Sequence, residues 1–292
     1  MELLSICIPT YNRKVRLEAL LKNLIAWNKN EIPIIVFDNA SNDGTDVMVR
    51  KYVNKIIYLR NTENLGHDGN YLRLIEDGKK YSKYSLWLGD DDCVTEDFFD
   101  DIPTILKNEE PDLVVLNQIH YSNNFFQIVR RIIGGKKNVL NNNKDVIVRD
   151  IKYFYNVFYD KLSFGILVVN NTLLETEKAC KYKGTFHLYV GGILEALDLQ
   201  NSNKGEVKVY VTAKPYIIWG KGGKSYTEKL KEVYCGCGSF FAKVPHSIQE
   251  EAYYAYKKSI EFGGYGVLAE YMENGFEQES AMKHANNTTV KM

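Results

Sequence analysis

The first ninety residues alternate between two apolar patterns, and that alternation is the strongest constraint on the fold. Residues 3–9 (LLSICIP) form a short continuous apolar run that stops at Pro9. From Val15 onward the apolar positions are Leu17, Leu20, Leu21, Leu24 and Trp27, the spacing of a helical stripe. Residues 32–37 (IPIIVF) are again a compact run, closed by the turn-rich segment DNASNDG at 38–44. The same reading predicts a helix over 47–53, a strand over 56–59, a helix around Leu72 and Ile75, and a strand over 84–88. Strands that are apolar throughout are buried on both faces. The pattern therefore predicts an α/β fold with a mostly parallel sheet flanked by helices. Ligands of such sheets bind beyond the carboxyl ends of the strands. Asp38 follows the second strand and Asp90, Asp91 and Asp92 follow the fourth, so both fall on that edge.

Farther along, strands are expected over 112–116, 164–170 and 207–213, the last with clear alternation, and a polar Asn-rich loop over 138–144. Ala252, Tyr256, Ile260, Val267, Leu268 and Tyr271 suggest a C-terminal helical hairpin broken at Gly263 and Gly264. No linker separates two domains. The expected organisation is one α/β domain over 1–218, with halves 1–120 and 121–218, followed by a loop and helices over 219–292. Lys plus Arg equal Asp plus Glu at 37 each, so no basic field points to nucleic acid. The five cysteines are scattered, and Cys235-Gly-Cys237 has no second pair for a zinc site. Reduced thiols, no signal segment and no run of the ~20 apolar residues of a membrane span predict a cytoplasmic protein.

Three adjacent carboxylates repel one another and need a compensating cation. In an extended turn the first and third side chains project the same way. Asp90 and Asp92 would then offer hard oxygen ligands suited to Mg²⁺ or Mn²⁺. The plainer alternative is a set of solvated turn residues ahead of a helix over 95–106.

The neighbouring segments bear on that choice. SICIPTYNR (5–13), VFDNASNDGT (36–45), NTENLGHDGNYLR (61–73) and WLGDDD (87–92) occur in this order. Together they resemble the inverting glycosyltransferases of the GT-A fold, family 2, specifically over residues 3–120 and loosely beyond. Within the family the chain looks most like non-processive enzymes of bacterial capsule, O-antigen or related polysaccharide synthesis. The Gln-x-x-Arg-Trp motif of processive synthases is absent. The resemblance implies a UDP-sugar or other nucleotide-sugar donor and a glycan or lipid-linked glycan acceptor. It implies that Pro9, Thr10, Tyr11 and Arg13 line the nucleotide pocket and that Asp38 accepts a hydrogen bond from the base. Asn64 and Gly66 would let the backbone pass close to the nucleotide, and Asn70 would face the donor. Asp90 and Asp91 would contact the donor, and Asp92, with Asp90, the Mn²⁺ or Mg²⁺.

Inversion needs a base that takes the acceptor's proton. The family's usual acidic pair has no counterpart in YKGTFHLYVGGILEALDL (182–199). His187, Glu195 and Asp198 are the candidates, Glu195 on a helix expected over 192–199 and His187 preferred to it. Lys221 and Lys224 lie among glycines in WGKGGKSYTEKLK (219–231) and would meet phosphate as a closing lid, or else belong to a basic surface loop. Residues 201–250 hold eight Lys against four Glu, which suits an anionic donor or a lipid pyrophosphate at the inner membrane face. Two other enzyme readings fit less well. A haloacid-dehalogenase-type phosphatase would use Asp90 as nucleophile and Asp92 as acid/base, but its motif opens the domain. A nucleotidyltransferase would carry a Gly-rich basic loop where residues 9–13 stand. A non-catalytic nucleotide-sugar or glycan binder is the alternative outside enzymology.

Overall fold

The computed structural model describes residues 1–120, 129–131, 144–158, 164–219 and 239–252. Lys221, Lys224, the expected hairpin around Gly263 and the loop residues 138–143 lie outside the described residues. The chain divides into two compact units. Unit 1 comprises Met1–Val148, Asp160–Leu174 and Lys208–Gly222, and unit 2 comprises Arg149–Tyr159, Glu175–Val207 and Gly223–Met292.

Unit 1 begins with β1 (Glu2–Thr10), α1 (Lys14–Trp27), β2 (Ile34–Asp38), α2 (Thr45–Val49) and β3 (Ile57–Arg60). It continues with α3 (Gly66–Gly78), β4 (Ser82–Trp87), β5 (Cys93–Val94), α4 (Phe98–Glu109) and β6 (Leu113–His120). The short strands β7 (Val129–Arg131) and β8 (Val146–Val148) follow. In unit 2 lie α5 (Ile151–Phe158), α6 (Thr176–Cys180) and α7 (Leu188–Lys204), while β9 (Leu167–Asn170) and β10 (Val209–Trp219) return to the sheet.

The sheet order is β3-β2-β1-β4-β9-β6-β10-β5, with β7 on β6 and β8 on β10. Strands β3, β2, β1 and β4 are parallel, as the continuous apolar runs require. β2 is buried along its whole length, and Leu17, Leu20, Leu21 and Leu24 of α1 are buried in the core. The second half departs from the parallel pattern: β9 runs antiparallel between β4 and β6. β10 runs parallel to β6, with its register interrupted around Pro215, which has no N–H for the ladder.

The helix expected over 47–53 is shorter: α2 passes into a 3-10 turn at Arg50–Tyr52. α4 carries Pro103, which cannot donate to the carbonyl of Phe99. The side-chain amide of Asn30 donates to that carbonyl instead, at 2.8 Å. In unit 2, α7 runs from Leu188 to Lys204, longer than the expected 192–199.

The register fixes what meets at the carboxyl edge. Thr10 is the partner of Asp38, Asp38 of Arg60, and Cys7 of Trp87. The ends of β1, β2 and β3 therefore lie in one row, and the segment after Trp87 turns out beside them.

Candidate functional site

The segment after β4 closes a tight turn, with the Asp92 N–H donating to the Gly89 carbonyl at 3.2 Å. Asp90 and Asp91 meet cations of α1 and its lead-in. Arg13 Nη1 donates to Asp90 Oδ1 at 2.7 Å and to Asp91 Oδ2 at 3.2 Å. Arg16 Nη1 donates to Asp91 Oδ2 at 3.0 Å. The Thr10 hydroxyl donates to Asp90 Oδ2 at 2.8 Å. Burial pushes the Asp90 carboxyl above its ordinary pKa, while Arg13 and Thr10 pull it down without cancelling that effect. Arg13 shows the converse: burial works against its charge, but Asp90 and Asp91 win and raise its pKa.

Asp92 is held differently. A Cβ at Gly89 would lie 2.8 Å from Asp92 Oδ2, and one at Gly165 would lie 2.6 Å from it. Both positions therefore need glycine, and Gly165 (φ +98°) also adopts a backbone conformation that other residues avoid. The two glycine backbones cradle one carboxylate oxygen. Gly165 reaches the turn because the β9 segment pairs beside β4, its N–H donating to the Trp87 carbonyl at 3.0 Å.

Among the described residues no group of three or more His, Cys, Asp or Glu is arranged to hold a metal ion. Asp90 and Asp92 offer hard oxygens only. That donor set fits a small divalent ion that draws the rest of its shell from phosphate oxygens and water.

The remaining residues expected at the edge take definite places. Asp38 is fully buried, and its oxygens accept from Ser41 N–H (2.9 Å), the Ser41 hydroxyl (2.5 Å) and the Tyr58 hydroxyl (2.5 Å). Arg60 Nε stands 3.5 Å from the same carboxylate. Asp38 thus ties the β2–α2 turn to β3. Asn70 is buried, its amide donating to the Phe37 carbonyl and accepting from Asn61, each at 3.2 Å. Asn64 accepts from Asn39 (2.8 Å) and from the N–H of Gly66 (2.9 Å). Gly66 has φ +72° and open space where a side chain would stand. Pro9 is half-buried, and Tyr11 presents 42% of its surface.

Asn39 and Asn61, which the sequence reading passed over, lace these loops together. Asn39 donates to the Gly66 carbonyl and accepts from Asn61 and from the Leu65 N–H. Arg16, Tyr58 and Gly165 were missed as well. The one local signal was the spacing of Arg16, one helical turn after Arg13.

The expected bases lie in unit 2. Glu195 Oε1 accepts from Lys181 Nζ and from the Tyr182 hydroxyl, each at 2.7 Å. It is a paired carboxylate, and burial followed by Glu195 itself raises the Tyr182 phenol's pKa. Asp198 accepts from the Ser247 hydroxyl. His187 immediately precedes α7, its ring edge-on to Phe240 at 5.5 Å.

Unit 1 is an α/β unit with a glycine-flanked aspartate turn at the carboxyl edge of its parallel strands. Residues 5–171, over half of the chain, match glycosyl transferase family 2, and the chain belongs to that family. It is 39% identical over 113 residues to the abequosyltransferase RfbV of Salmonella typhimurium, covering 37% of this chain and 33% of that protein. The match thus spans about a third of the length of this curated relative. The fold is shared with S. aureus TarS in complex with UDP-GlcNAc: TM-score 0.56, 16% identity, 100% of this chain and 77% of that one. It is also shared with the mannosyltransferase PcManGT of Pyrobaculum calidifontis in complex with GDP-Man and Mn²⁺: TM-score 0.53, 13% identity, 98% and 79% coverage. These are the GT-A glycosyltransferases that the sequence resembles.

Proposed function

We propose that this chain transfers a sugar from a nucleotide-sugar to a hydroxyl of a glycan or lipid-linked glycan, with inversion, in bacterial surface-polysaccharide synthesis. The observation that carries this reading is the turn Gly89–Asp92, with Asp90 held by Arg13 and Thr10 and Asp92 cradled by Gly89 and Gly165. The family match and the relative named as an abequosyltransferase support it, as do the fold neighbours bound to UDP-GlcNAc and to GDP-Man with Mn²⁺.

In this reading Asp90 and Asp92 hold Mn²⁺ or Mg²⁺, which when bound neutralises negative charge developing on the leaving diphosphate. Arg13 fixes Asp90 and remains charged throughout. Tyr11, the exposed aromatic at the end of β1, takes the base or ribose. With its oxygens engaged by Ser41 and Tyr58, Asp38 supports the base-binding loop and touches the base only by exchanging one of those partners. Lys221 and Lys224 supply positive charge to the phosphates. His187 takes the acceptor's proton, with Glu195, which accepts from Lys181 and Tyr182, as the second candidate. UDP-sugars are the first donors to test, ahead of CDP- and GDP-sugars. The protein works in the cytoplasm, at the inner membrane face when its acceptor is lipid-linked. No helix among the described residues is long and apolar enough to cross a membrane.

The test is thermal unfolding with UDP-N-acetylglucosamine, CDP-glucose and GDP-mannose, and with UDP, CDP and GDP, each with and without Mn²⁺, followed by turnover. At about a hundredfold its dissociation constant a ligand adds roughly 2.7 kcal/mol, a readable shift. A metal-dependent shift for one nucleotide class with slow donor hydrolysis is expected. No shift with any of them would overturn the reading. The pairing of Glu195 favours a second reading, a non-catalytic binder, which would give the shift while leaving the donor intact.

A further inference from the structure

The aspartate turn is bordered by aromatic side chains that phosphate and metal chemistry do not use. Phe164 immediately precedes Gly165, the residue packed on the Asp92 carboxylate. Its ring is stacked on Trp87, the last residue of β4, at 6.4 Å and 18°. The edge of Tyr71 meets Phe164 at 4.7 Å and 68°, and His67 meets Tyr71 at 4.4 Å. Trp87 is buried, Phe164 and Tyr71 are half-buried, and His67 is nearer the surface. The row therefore reaches the turn through Phe164, whose neighbour Gly165 packs on the Asp92 carboxylate.

If the diphosphate meets those aspartates, the group joined to its far phosphate is the sugar. A pyranose ring carries C–H groups on its faces and hydroxyls at its rim. Half-exposed aromatic rings suit the faces, and pockets of this kind use a few polar groups at the rim to fix orientation. We infer that Phe164 and Tyr71 seat the donor's sugar ring through its C–H face and thereby take part in choosing which sugar is transferred. The inference rests on the glycosyl-transfer reading above. A nucleobase would also stack on such a row. The row, however, borders the aspartates that would face the phosphates, and Tyr11 offers the base a separate exposed ring.

The test compares each nucleotide-sugar with its own nucleoside diphosphate by titration calorimetry in the presence of Mn²⁺. The pairs are UDP-N-acetylglucosamine with UDP, CDP-glucose with CDP and GDP-mannose with GDP. Phe164→Leu keeps most of the volume but removes the ring, and Tyr71→Leu does the same from α3. For the pair that wild type binds, each variant is expected to weaken the nucleotide-sugar about tenfold, the worth of an aromatic contact. The nucleoside diphosphate should keep its affinity within about twofold. Tyr71→Phe, which keeps the ring, should resemble wild type for both. Equal losses for the two members of a pair would place base or phosphate on the row and overturn the inference, as would unchanged nucleotide-sugar binding in both Leu variants. A wild-type protein that binds no pair would instead overturn the glycosyl-transfer reading, and the seat with it. If the Trp87 stack makes Phe164→Leu fail to fold, the Tyr71 variants decide.

Discussion

Guanidinium groups of Arg13 and Arg16 meet Asp90 and Asp91, and the backbones of Gly89 and Gly165 pack against the Asp92 carboxylate. Replacing Asp92 by Asn keeps its shape and removes one of three crowded negative charges. Metal-dependent turnover of Asp92→Asn should fall by about 10²–10³, while its unfolding midpoint should equal or exceed that of wild type. Wild-type-like turnover would remove Asp92 from the metal site. Asp43 illustrates a carboxylate whose work is structural. Its oxygens accept from the Thr45 N–H and hydroxyl and from the Lys14 N–H, tying the starts of α1 and α2. Slight burial works to raise its pKa, but these donors prevail and hold it below the ordinary value. Its stabilisation is therefore fully present above the unfolded-state pKa and is lost as pH falls through the lower folded-state value. Asp43→Ala should cost about 1 kcal/mol at pH 7, and urea titrations of both proteins should converge only as pH falls through the lowered folded-state value. A gap that persists undiminished in acid would show that the cost is not electrostatic. Asp43 was legible in the sequence only as part of a turn-rich run, because its partners Lys14 and Thr45 are set by the crossing of two loops.

At the scale of elements, the parallel strands were legible because each is a continuous apolar run with its polar residues at one end. β5 was not, since Cys93–Val94 is too short to show a period and exists as a strand only through β10. α7 was legible only over 192–199, because its apolar residues surround it rather than forming a stripe: Leu188, Val190, Ile193, Leu194 and Leu197 are all buried. A helix of that kind packs on every side, which explains Gly191. Glycine inside a helix is ordinarily improved by alanine, by roughly 0.5–1 kcal/mol. Here a Cβ would stand 2.1 Å from the Tyr182 ring, so the methyl group and the ring cannot share the space. Gly191→Ala should therefore destabilise by about 1–3 kcal/mol, measured by chemical denaturation. A stabilised variant would mean that the ring moves freely and that the Tyr182–Glu195 hydrogen bond does not hold it.

For the whole molecule, what the sequence concealed is what long-range pairing brings together. Gly165 and Phe164 lie more than seventy residues after the aspartate turn. They reach it only because β9 enters the sheet antiparallel beside β4, a pairing that no local pattern announces. The base was equally illegible: its candidates His187 and Glu195 sit in unit 2, beyond the segments whose strand–helix alternation marks the carboxyl edge. Two compact units make a single unfolding free energy a poor description of this chain. They also predict where a donor acts. A ligand protects the unit whose native state it binds, and amide exchange resolves local stability along the chain. With Mn²⁺ and the nucleotide-sugar that raises the unfolding midpoint, exchange should slow at 9–13, 61–71, 88–94 and 164–167. Unchanged exchange across α6 and α7 would leave the donor to unit 1. Strong protection of α7 by donor alone would put the helix that follows His187 on the donor, and the acceptor's proton would then need a different base.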